Sequence, residues 1–441
     1  MERLVFREYV RNVRLFSRNA RILLLSTFIG SLGLGMVWVL RNLYLRRIGF
    51  NDAQIGNVLS AAAMGLVAAA PTALWMDRLR LKGFLLFAGL AGTLGLYGQL
   101  VTDDYDLIRL AAFLSGFGGS LAGLAGAPFV MRNSGTSERV YLFGVTIAVA
   151  TLGSFASMMA AAACTRLYGD TADVQRWVMT GGCVVGFLAG IPLFFIQEPP
   201  LTLKETISPL RSLRNKDWGT IGKLCLPDFL IGCGAGLTIP FINLYYETRF
   251  GIPSDRISVY YAISQFVNML GFMASPVIAN RLGLVRSVVV SQLLSTPFFA
   301  ILAVTTNLRL AVGAFLLRNM LMNMVQPVNS NFAMEVVPED QRAFTNCVKG
   351  IAWNLPWVPA ASLGGWVVHY FQENRSSIPW AASALGVRDG FTLTMYLTIS
   401  LYLVAATVFY VFFRNHHHAV KKGANEVVKA AAATAGGSDG K

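Results

Sequence analysis

Four charged residues lie inside otherwise apolar stretches of the chain: Arg41, Asp228, Arg318 and Lys349. A charged side chain in an apolar helix is energetically unfavourable unless it faces a polar cavity or a partner of opposite charge. In such a cavity a guanidinium or ammonium group can bind a carboxylate, phosphate or sulfate group, and a carboxylate can exchange a proton. Arg41 lies near the end of its stretch, where it either contacts a solute or reaches the polar edge of the apolar layer.

A polar stripe follows Arg318. Asn319, Asn323 and Gln326 come next at spacings of four and three residues. This spacing places the side chains on one face of a helix, and a helix surrounded by lipid would not carry them. The stripe therefore predicts the wall of a polar cavity, with a hydrogen-bonded seam between helices as the alternative.

Polar residues in other apolar stretches complete the candidate solute-binding set: Asn42, Asn243, Tyr245, Gln265 and Asn268. Asp228 and Lys349 lie at similar depths in their stretches, so we expect them to form an ion pair. The alternative is that Asp228 binds a coupling proton or another cation. The sequence has no paired catalytic acids, Cys/His constellation or nucleotide-binding loop, so we predict no catalytic residue, metal site or cofactor.

The composition identifies the class of protein. Of 441 residues, 54% are hydrophobic and only 14% are charged, and the mean hydropathy is +0.53. A soluble protein carries about a quarter charged residues. The net charge of +14 does not indicate nucleic-acid binding, because the basic residues cluster in the tails and short loops. The chain is predicted to be an all-α polytopic membrane protein that lies in a lipid bilayer.

Apolar blocks long enough to cross a bilayer as helices divide the chain into twelve predicted spans. Their approximate ranges are 21–45, 53–76, 83–101, 107–131, 139–163, 176–196, 219–246, 256–279, 285–306, 309–333, 343–371 and 389–413. Lys and Arg are concentrated on the side of the N-terminus, which predicts that both termini are cytoplasmic.

Five segments follow from these spans. Residues 1–20 form a basic amphipathic segment, 21–196 a first six-helix bundle, 197–218 a cytoplasmic linker, 219–413 a second bundle and 414–441 a disordered tail.

The two bundles carry copies of one motif. The sequence GLGMVWVLRNLY at 33–44 returns as GAGLTIPFINLY at 234–245, half a chain length away. Asp77-Arg78-Leu79 is likewise matched by Asn280-Arg281-Leu282, and Arg139 by Arg342. A repeat of this length indicates a duplicated bundle rather than a solenoid.

The duplicated twelve-span pattern and the charged turn after span 2 resemble the major facilitator superfamily of secondary transporters. The family's motif in this turn reads G-x-x-x-D-R-x-G-R-K, and Asp77, Arg78 and Lys82 match it while both glycines are replaced. The second copy, Asn280 to Gly283, keeps one glycine.

The resemblance implies two six-helix bundles that alternate in access to a central site. It also implies a cytoplasmic gate in these turns, with the alternative that they are merely basic loops. By resemblance and repeat, the gate residues are Asp77, Arg78, Lys82, Arg139, Arg281 and Arg342. The antiporter signature of span 5 is absent.

The predicted function is secondary transport of a small organic solute by alternating access. Bases outnumber acids within the spans, which favours an anionic solute. A proton is the candidate coupling ion, and uniport is the open alternative. The alternatives are a proton-coupled exporter of drugs or amphiphiles and, from another class, a membrane sensor or membrane enzyme on the same bundle. A monomer in a bacterial inner membrane is the expected state.

Overall fold

The computed structural model describes residues 16–72, 80–132, 136–197, 216–338, 341–374 and 387–414, and the regular structure in these ranges is helical. The helices form twelve spans. Their bounds are Arg18–Arg47 (span 1), Asp52–Ala69 (span 2), Leu81–Gly98 (span 3), Tyr105–Arg132 (span 4), Thr136–Tyr168 (span 5), Ala172–Leu188 with Gly190–Phe194 (span 6), Trp218–Thr238 with Ile242–Phe250 (span 7), Ser254–Leu282 (span 8), Leu284–Val304 (span 9), Leu308–Val336 (span 10), Arg342–Asn354 with Trp357–Glu373 (span 11) and Gly390–Phe413 (span 12).

Within the described ranges, 11 of these spans are long and apolar enough to cross a membrane. Span 11 is the exception because its two helices are separate and only 13 and 17 residues long, whereas the sequence predicted one helix over 343–371. The break falls at Leu355 and Pro356. Proline has no amide hydrogen and its ring clashes with the preceding turn, so it ends the first helix. The predicted twelve-span, all-α fold is confirmed.

Side-chain caps set where several spans begin. The side chains of Asn51, Thr171, Asp217, Asn307 and Asp389 each accept a hydrogen bond from a backbone amide in the first turn. These residue types are preferred at helix N-termini because they satisfy amides that have no partner within the helix.

The glycines of the repeated motif let span 1 approach its neighbours closely. A Cβ atom at Gly33 would lie 2.5 Å from the carbonyl oxygen of Gly182 in span 6, and one at Gly35 would lie 2.7 Å from the Cβ of Ser157 in span 5. Only glycine fits at these positions. Span 1 therefore packs on spans 5 and 6 of its own half.

Span 7 packs in the equivalent way in the second half. A Cβ atom at Gly234 would lie 3.0 Å from the ring of Tyr402 in span 12, and one at Gly236 would lie 2.8 Å from the Cβ of Ala360 in span 11. The repeated Gly-x-Gly sequence thus encodes the same packing in both halves.

The halves meet along two pairs of spans that the repeat relates, span 2 with span 11 and span 5 with span 8. A Cβ atom at Gly56 would lie 2.6 Å from the carbonyl oxygen of Ala361, and one at Gly365 would lie 2.3 Å from the carbonyl oxygen of Asp52. Small residues allow helix backbones in a membrane to pack this closely. These two pairs frame the space between the halves.

Candidate functional site

A cavity of about 710 Å³ lies between the two halves and is lined by spans 1, 4, 5 and 7 to 12. We call it the central cavity. Gln326, Ser330 and Asn346 line it and are exposed, so it opens at the face where span 10 ends and span 11 begins. This is the open face. At the opposite face, where spans 1 and 7 end, the halves are in contact, and we call that the closed face.

Arg318 lies in the wall of the central cavity and is only 5% exposed. Its Nη2 donates to the hydroxyl of Tyr402 at 2.9 Å and its Nη1 to Oδ1 of Asn319 at 2.9 Å. Its guanidinium carbon lies 4.4 Å from the ring centre of Phe299. Its Nε has no hydrogen-bond partner. Neutral groups thus hold a buried cation that pairs with no carboxylate among the described residues.

The predicted polar stripe faces the same cavity. Nδ2 of Asn319 also donates to the hydroxyl of Ser264 in span 8 at 3.0 Å, which joins spans 8 and 10. Asn268 is 8% exposed and its Oδ1 has no partner. The cavity wall also includes the predicted residues Gln265, Asn323 and Gln326. Asn319 of the stripe thus forms a hydrogen bond between helices, and Asn323 and Gln326 line the cavity.

Asp228 and Lys349 form an ion pair at the edge of the central cavity. Lys349 Nζ lies 2.6 Å from Oδ2 of Asp228, and both side chains are nearly buried. Nδ2 of Asn329 donates to the other carboxylate oxygen at 3.1 Å. The pair lies within the second half and joins span 7 to span 11.

The remaining candidate solute-binding residues lie elsewhere. Arg41 lines a second cavity, formed mainly by the first half. Tyr245 is fully buried and donates its hydroxyl to the carbonyl of Leu302 at 2.8 Å. Its hydroxyl is therefore engaged in packing span 7 against span 9.

Asn42 and Asn243 make reciprocal hydrogen bonds between the halves. Nδ2 of Asn42 donates to the carbonyl of Pro240 at 2.6 Å, and Nδ2 of Asn243 donates to the carbonyl of Val39 at 3.0 Å. Both amides are buried. We call this pair the amide clasp. Because both side-chain donors bind backbone carbonyls, the geometry favours a role in joining spans 1 and 7 over the predicted contact with a solute.

We expect Asn42→Ala and Asn243→Ala each to weaken the closed face by about 1 kcal/mol, because each removes one buried neutral hydrogen bond. Tyr168 and Thr306 are exposed on opposite halves at this face. With nitroxide labels at these two positions, pulsed electron paramagnetic resonance reports opening as a longer distance between the labels. The labels require replacement of the native cysteines.

Asn57→Ala is the matched control for the amide clasp, because Asn57 binds Tyr105 within the first half. Lower solute affinity with no change in the distance distribution would restore the solute-binding role predicted for Asn42 and Asn243.

Ion pairs seal the closed face. Arg46 Nη1 lies 3.2 Å from Oε2 of Glu247 and 2.6 Å from the hydroxyl of Thr248, so span 1 is tied to span 7. The other Arg46 nitrogen pairs with Asp52. Arg47 Nη2 lies 3.4 Å from Oε1 of Glu247. Glu247 thus forms ion pairs with two arginines of the other half.

Asp170, in the loop between spans 5 and 6, extends this seal to span 8. It forms an ion pair with Arg47, whose Nη2 donates to its Oδ2 at 2.8 Å. The backbone amide of Ser254 donates to the same oxygen at 2.9 Å, and the Ser254 hydroxyl donates to Oδ1. Nε2 of Gln175 donates to it at 2.9 Å. Burial by itself would raise the pKa of the Asp170 carboxyl, but the hydrogen bonds from Arg47 and Ser254 and the charge of Arg47 outweigh burial and lower the pKa to about 2.

The predicted gate residues that the structure describes lie on or near the opposite, open face. Nζ of Lys82 donates to the carbonyls of Phe194 and Ile196 at 2.6 and 3.0 Å, which ties span 3 to the end of span 6. Nε of Arg342 donates to the carbonyl of Met334 at 2.9 Å. Arg281 is exposed in the last turn of span 8. Asp77, Arg78 and the side chain of Arg139 lie outside the described residues.

The family model described as Major Facilitator Superfamily matches residues 23–361 of this chain. The chain belongs to the Major Facilitator Superfamily. It is therefore a multi-pass membrane protein and a secondary transporter rather than an enzyme. No curated protein sequence matches it.

Solved structures share the transporter's fold. A point mutant of the nucleoside transporter NupG aligns with a TM-score of 0.73 at 15% identity, over 90% of this chain and 100% of that chain. A bacterial homolog of the human lysosomal transporter Spinster, inward-facing and unoccupied, aligns with 0.68 at 15%, over 90% and 98%. The xylose transporter XylE from E. coli aligns with 0.67 at 14%, over 88% and 95%. At these identities the likeness concerns the fold alone.

Sequence reasoning missed several groups that the transporter places at its cavity and closed face. Gln292 lines the cavity with an unpartnered Oε1, and Tyr402 holds Arg318. Neither has an Asn or Gln three or four positions away in its span, so neither extends a stripe like the one after Arg318. The Arg46–Glu247 pair did carry a signal, because the two residues follow Asn-Leu-Tyr at equivalent positions with opposite charges.

Proposed function

We propose that this transporter moves a small organic solute bearing a carboxylate, phosphate or sulfate group, and that Arg318 binds this group in the central cavity. The observation that carries the proposal is the burial of Arg318 without an acidic partner among the described residues. Arginine suits such a role because its planar donors match the oxygens of these anions.

The charge of the cavity wall supports an anionic solute. Its charged lining among the described residues consists of Arg318, Asp228 and Lys349. Because the last two form an ion pair, one positive charge remains. A desolvated positive charge attracts an anion more strongly than the same charge in water.

The aromatic lining supports a solute with a flat or apolar body. Trp38 is 60% exposed although it lies in the middle of span 1, and it lines the central cavity with Trp353 and Trp357. The rings of Trp353 and Trp357 lie 6.4 Å apart. Indole faces stack on sugar or aromatic rings, so the cavity offers apolar contact beside a site for a charged group.

We further propose that both termini face the cytoplasm, as the distribution of Lys and Arg predicts. The closed face is then the outer face, and the cavity opens inward. Transport would proceed by rocking of the halves about the contacts of span 2 with span 11 and of span 5 with span 8. In this cycle the ion pairs of the closed face must break before the solute is exchanged outside, and the residues proposed for the cytoplasmic gate close the other face.

Arg318→Ala is expected to lower affinity for an anionic solute by about 10- to 100-fold, because a hydrogen bond to a charged group contributes about 1.5–3 kcal/mol. The measurement is the melting temperature of the purified protein with a panel of organic anions, neutral sugars, a nucleoside and amphipathic drugs, since a bound solute stabilises the folded state. Xylose and the nucleoside are included because transporters of the same fold carry them.

Arg309→Ala is the matched control, because Arg309 is exposed in the first turn of the same helix. An anion that stabilises the parent and Arg309→Ala but not Arg318→Ala supports the proposal. Stabilisation by neutral sugars or drugs alone, unchanged in Arg318→Ala, would show that Arg318 is structural and would favour the drug-exporter alternative.

A further inference from the structure

A second cavity, of about 960 Å³, is lined mainly by the first half. Spans 1 and 6 form one wall, spans 2, 3 and 4 form the other, and the lining is largely apolar. Four residues of the second half complete the lining: Pro240, Asn243, Tyr261 and Trp357. We call it the lateral crevice. The amphiphile site argued below does not involve Arg318, although Trp38 and Trp357 line both cavities.

Glycines leave the lateral crevice open. A Cβ atom built at Gly89, Gly119 or Gly126 would meet no atom within 4 Å. In the seam between spans 3 and 6, a Cβ atom at Gly186 would meet only Thr93, at 3.9 Å. The repeat-related seam between spans 9 and 12 is filled by the rings of Phe299 and Tyr402, 5.9 Å apart. The first half therefore contains space where the second half contains aromatic side chains.

The lateral crevice reaches the lipid-facing surface of the bundle. Phe87, Phe187 and Phe194 are part of its lining and are 56%, 55% and 63% exposed. In a chain of twelve membrane spans, exposed phenylalanines on spans 3 and 6 contact acyl chains rather than water. An occupant can thus enter from the bilayer.

The other end of the lateral crevice presents polar groups without partners. Arg41 makes no hydrogen bond or ion pair with any residue that the structure describes, and its Nε is buried. Trp357 Nε1 and Asn42 Oδ1, which also line the crevice, are buried and unpartnered as well. A partly buried guanidinium in an apolar span is unfavourable unless it meets a partner or a polar ligand. One cation and one indole N–H therefore face a long apolar space.

We propose that the lateral crevice binds a single-chain amphiphilic anion from the bilayer. The acyl chain lies in the glycine-lined space between spans 3, 4 and 6, and the anionic headgroup accepts hydrogen bonds from Arg41 and from the indole of Trp357. A neutral amphiphile of the same length satisfies the apolar walls but leaves the charge of Arg41 uncompensated, so the site discriminates by charge.

The test uses the full-length protein in nanodiscs of phosphatidylcholine. The probes are a long-chain fatty acid carrying a diazirine in its tail and the corresponding fatty alcohol with the same diazirine, photolysed above the pKa of the acid in the membrane. Peptide mapping locates the cross-links. We expect the acid to label spans 1, 3, 4 and 6 about tenfold more than the alcohol does, the factor expected for one charge-assisted hydrogen bond.

Two variants separate the headgroup from the tail. Arg41→Gln keeps much of the side-chain length and is expected to abolish the preference for the acid. Gly119→Leu fills empty space in the crevice and is expected to reduce labelling by both probes at least fivefold. The control is Gly181→Leu, because a Cβ atom at Gly181 also meets nothing within 4 Å but Gly181 does not line the crevice. This control is expected to leave labelling unchanged. Arg318→Ala also leaves it unchanged, because that residue lies in the central cavity.

Equal labelling by acid and alcohol in the parent, or a preference that survives Arg41→Gln, would overturn the proposal. So would unchanged labelling in a Gly119→Leu variant that elutes and melts as the parent does. Should Gly119→Leu fail to fold, competition on the parent decides the matter: excess unlabelled fatty acid must displace the labelled acid, and the unlabelled alcohol must not.

Discussion

Asp228→Asn is expected to lower the free energy of unfolding by about 3–5 kcal/mol, because it leaves the ammonium group of Lys349 buried without a counter-charge. Asp228 and Lys349 are 8% and 7% exposed, so water cannot replace the lost carboxylate. The measurement is the melting temperature of the purified transporter. The matched control is Asp106→Asn, which removes an exposed ion pair with Arg109 and should change stability little.

Removing both charges should restore most of the loss. The double variant Asp228→Leu with Lys349→Met replaces the pair by apolar groups, and such replacements of buried ion pairs are often neutral or stabilising. A double variant that melts as low as Asp228→Asn would show that the pair is not an isolated electrostatic unit and would contradict this account.

The same double variant tests the alternative role of Asp228 in coupling. If Asp228 carries a proton during the cycle, the variant still exchanges solute across a vesicle membrane but no longer accumulates it under a proton gradient. If accumulation persists at the parent level, Asp228 and Lys349 only hold span 7 against span 11.

Asp170→Asn is expected to shift the transporter towards the state that is open at the closed face, by about 2 kcal/mol or roughly 30-fold in population. The physical reason is the donor count around Asp170. Ser254 of the other half donates its amide and hydroxyl to this carboxylate, while Arg47 and Gln175 hold it from its own half. An amide at position 170 presents its own donor to Ser254 and weakens this contact between the halves. The nitroxide pair at Tyr168 and Thr306 reports the change as a larger long-distance population.

The pH dependence of the same distance supplies an independent check on Asp170. In the closed state its pKa is about 2, and loss of the Ser254 hydrogen bonds on opening raises it towards the ordinary value of about 3.9. Because the pKa is depressed in the closed state, the stabilisation is fully present above about pH 4 and is lost as pH falls towards 2. We therefore expect no Asp170-dependent change between pH 5 and 8.

Asp103→Asn is the control for Asp170→Asn, because Asp103 pairs with Arg176 in the same half and is 68% exposed. An unchanged distance distribution in Asp170→Asn, or a shift of the same size in Asp103→Asn, would mean that the Asp170 contacts do not hold the closed face together.

The sequence by itself determined the class, the number of spans and the duplication. Span length and hydropathy depend on local composition, and a membrane leaves a long apolar segment few structures besides a helix. The repeated Gly-x-Gly of spans 1 and 7 could likewise be recognised without coordinates, because close packing of helices depends on the small size of residues such as Gly33 and Gly234. The polar stripe after Arg318 could also be predicted from the sequence, because spacings of three and four residues place side chains on one face of a helix.

Only the tertiary structure decided what each polar face meets. Asn42 and Gln265 are both amides in apolar spans, yet the first binds a carbonyl of the opposite half and the second faces the central cavity. Arg41 and Arg318 are both arginines within apolar spans, yet they line different cavities. A helical period specifies the face on which a side chain lies, but the partner on that face comes from another span far away in sequence. For that reason the partners of the closed-face carboxylates and the extent of the two cavities depend on how the spans pack together.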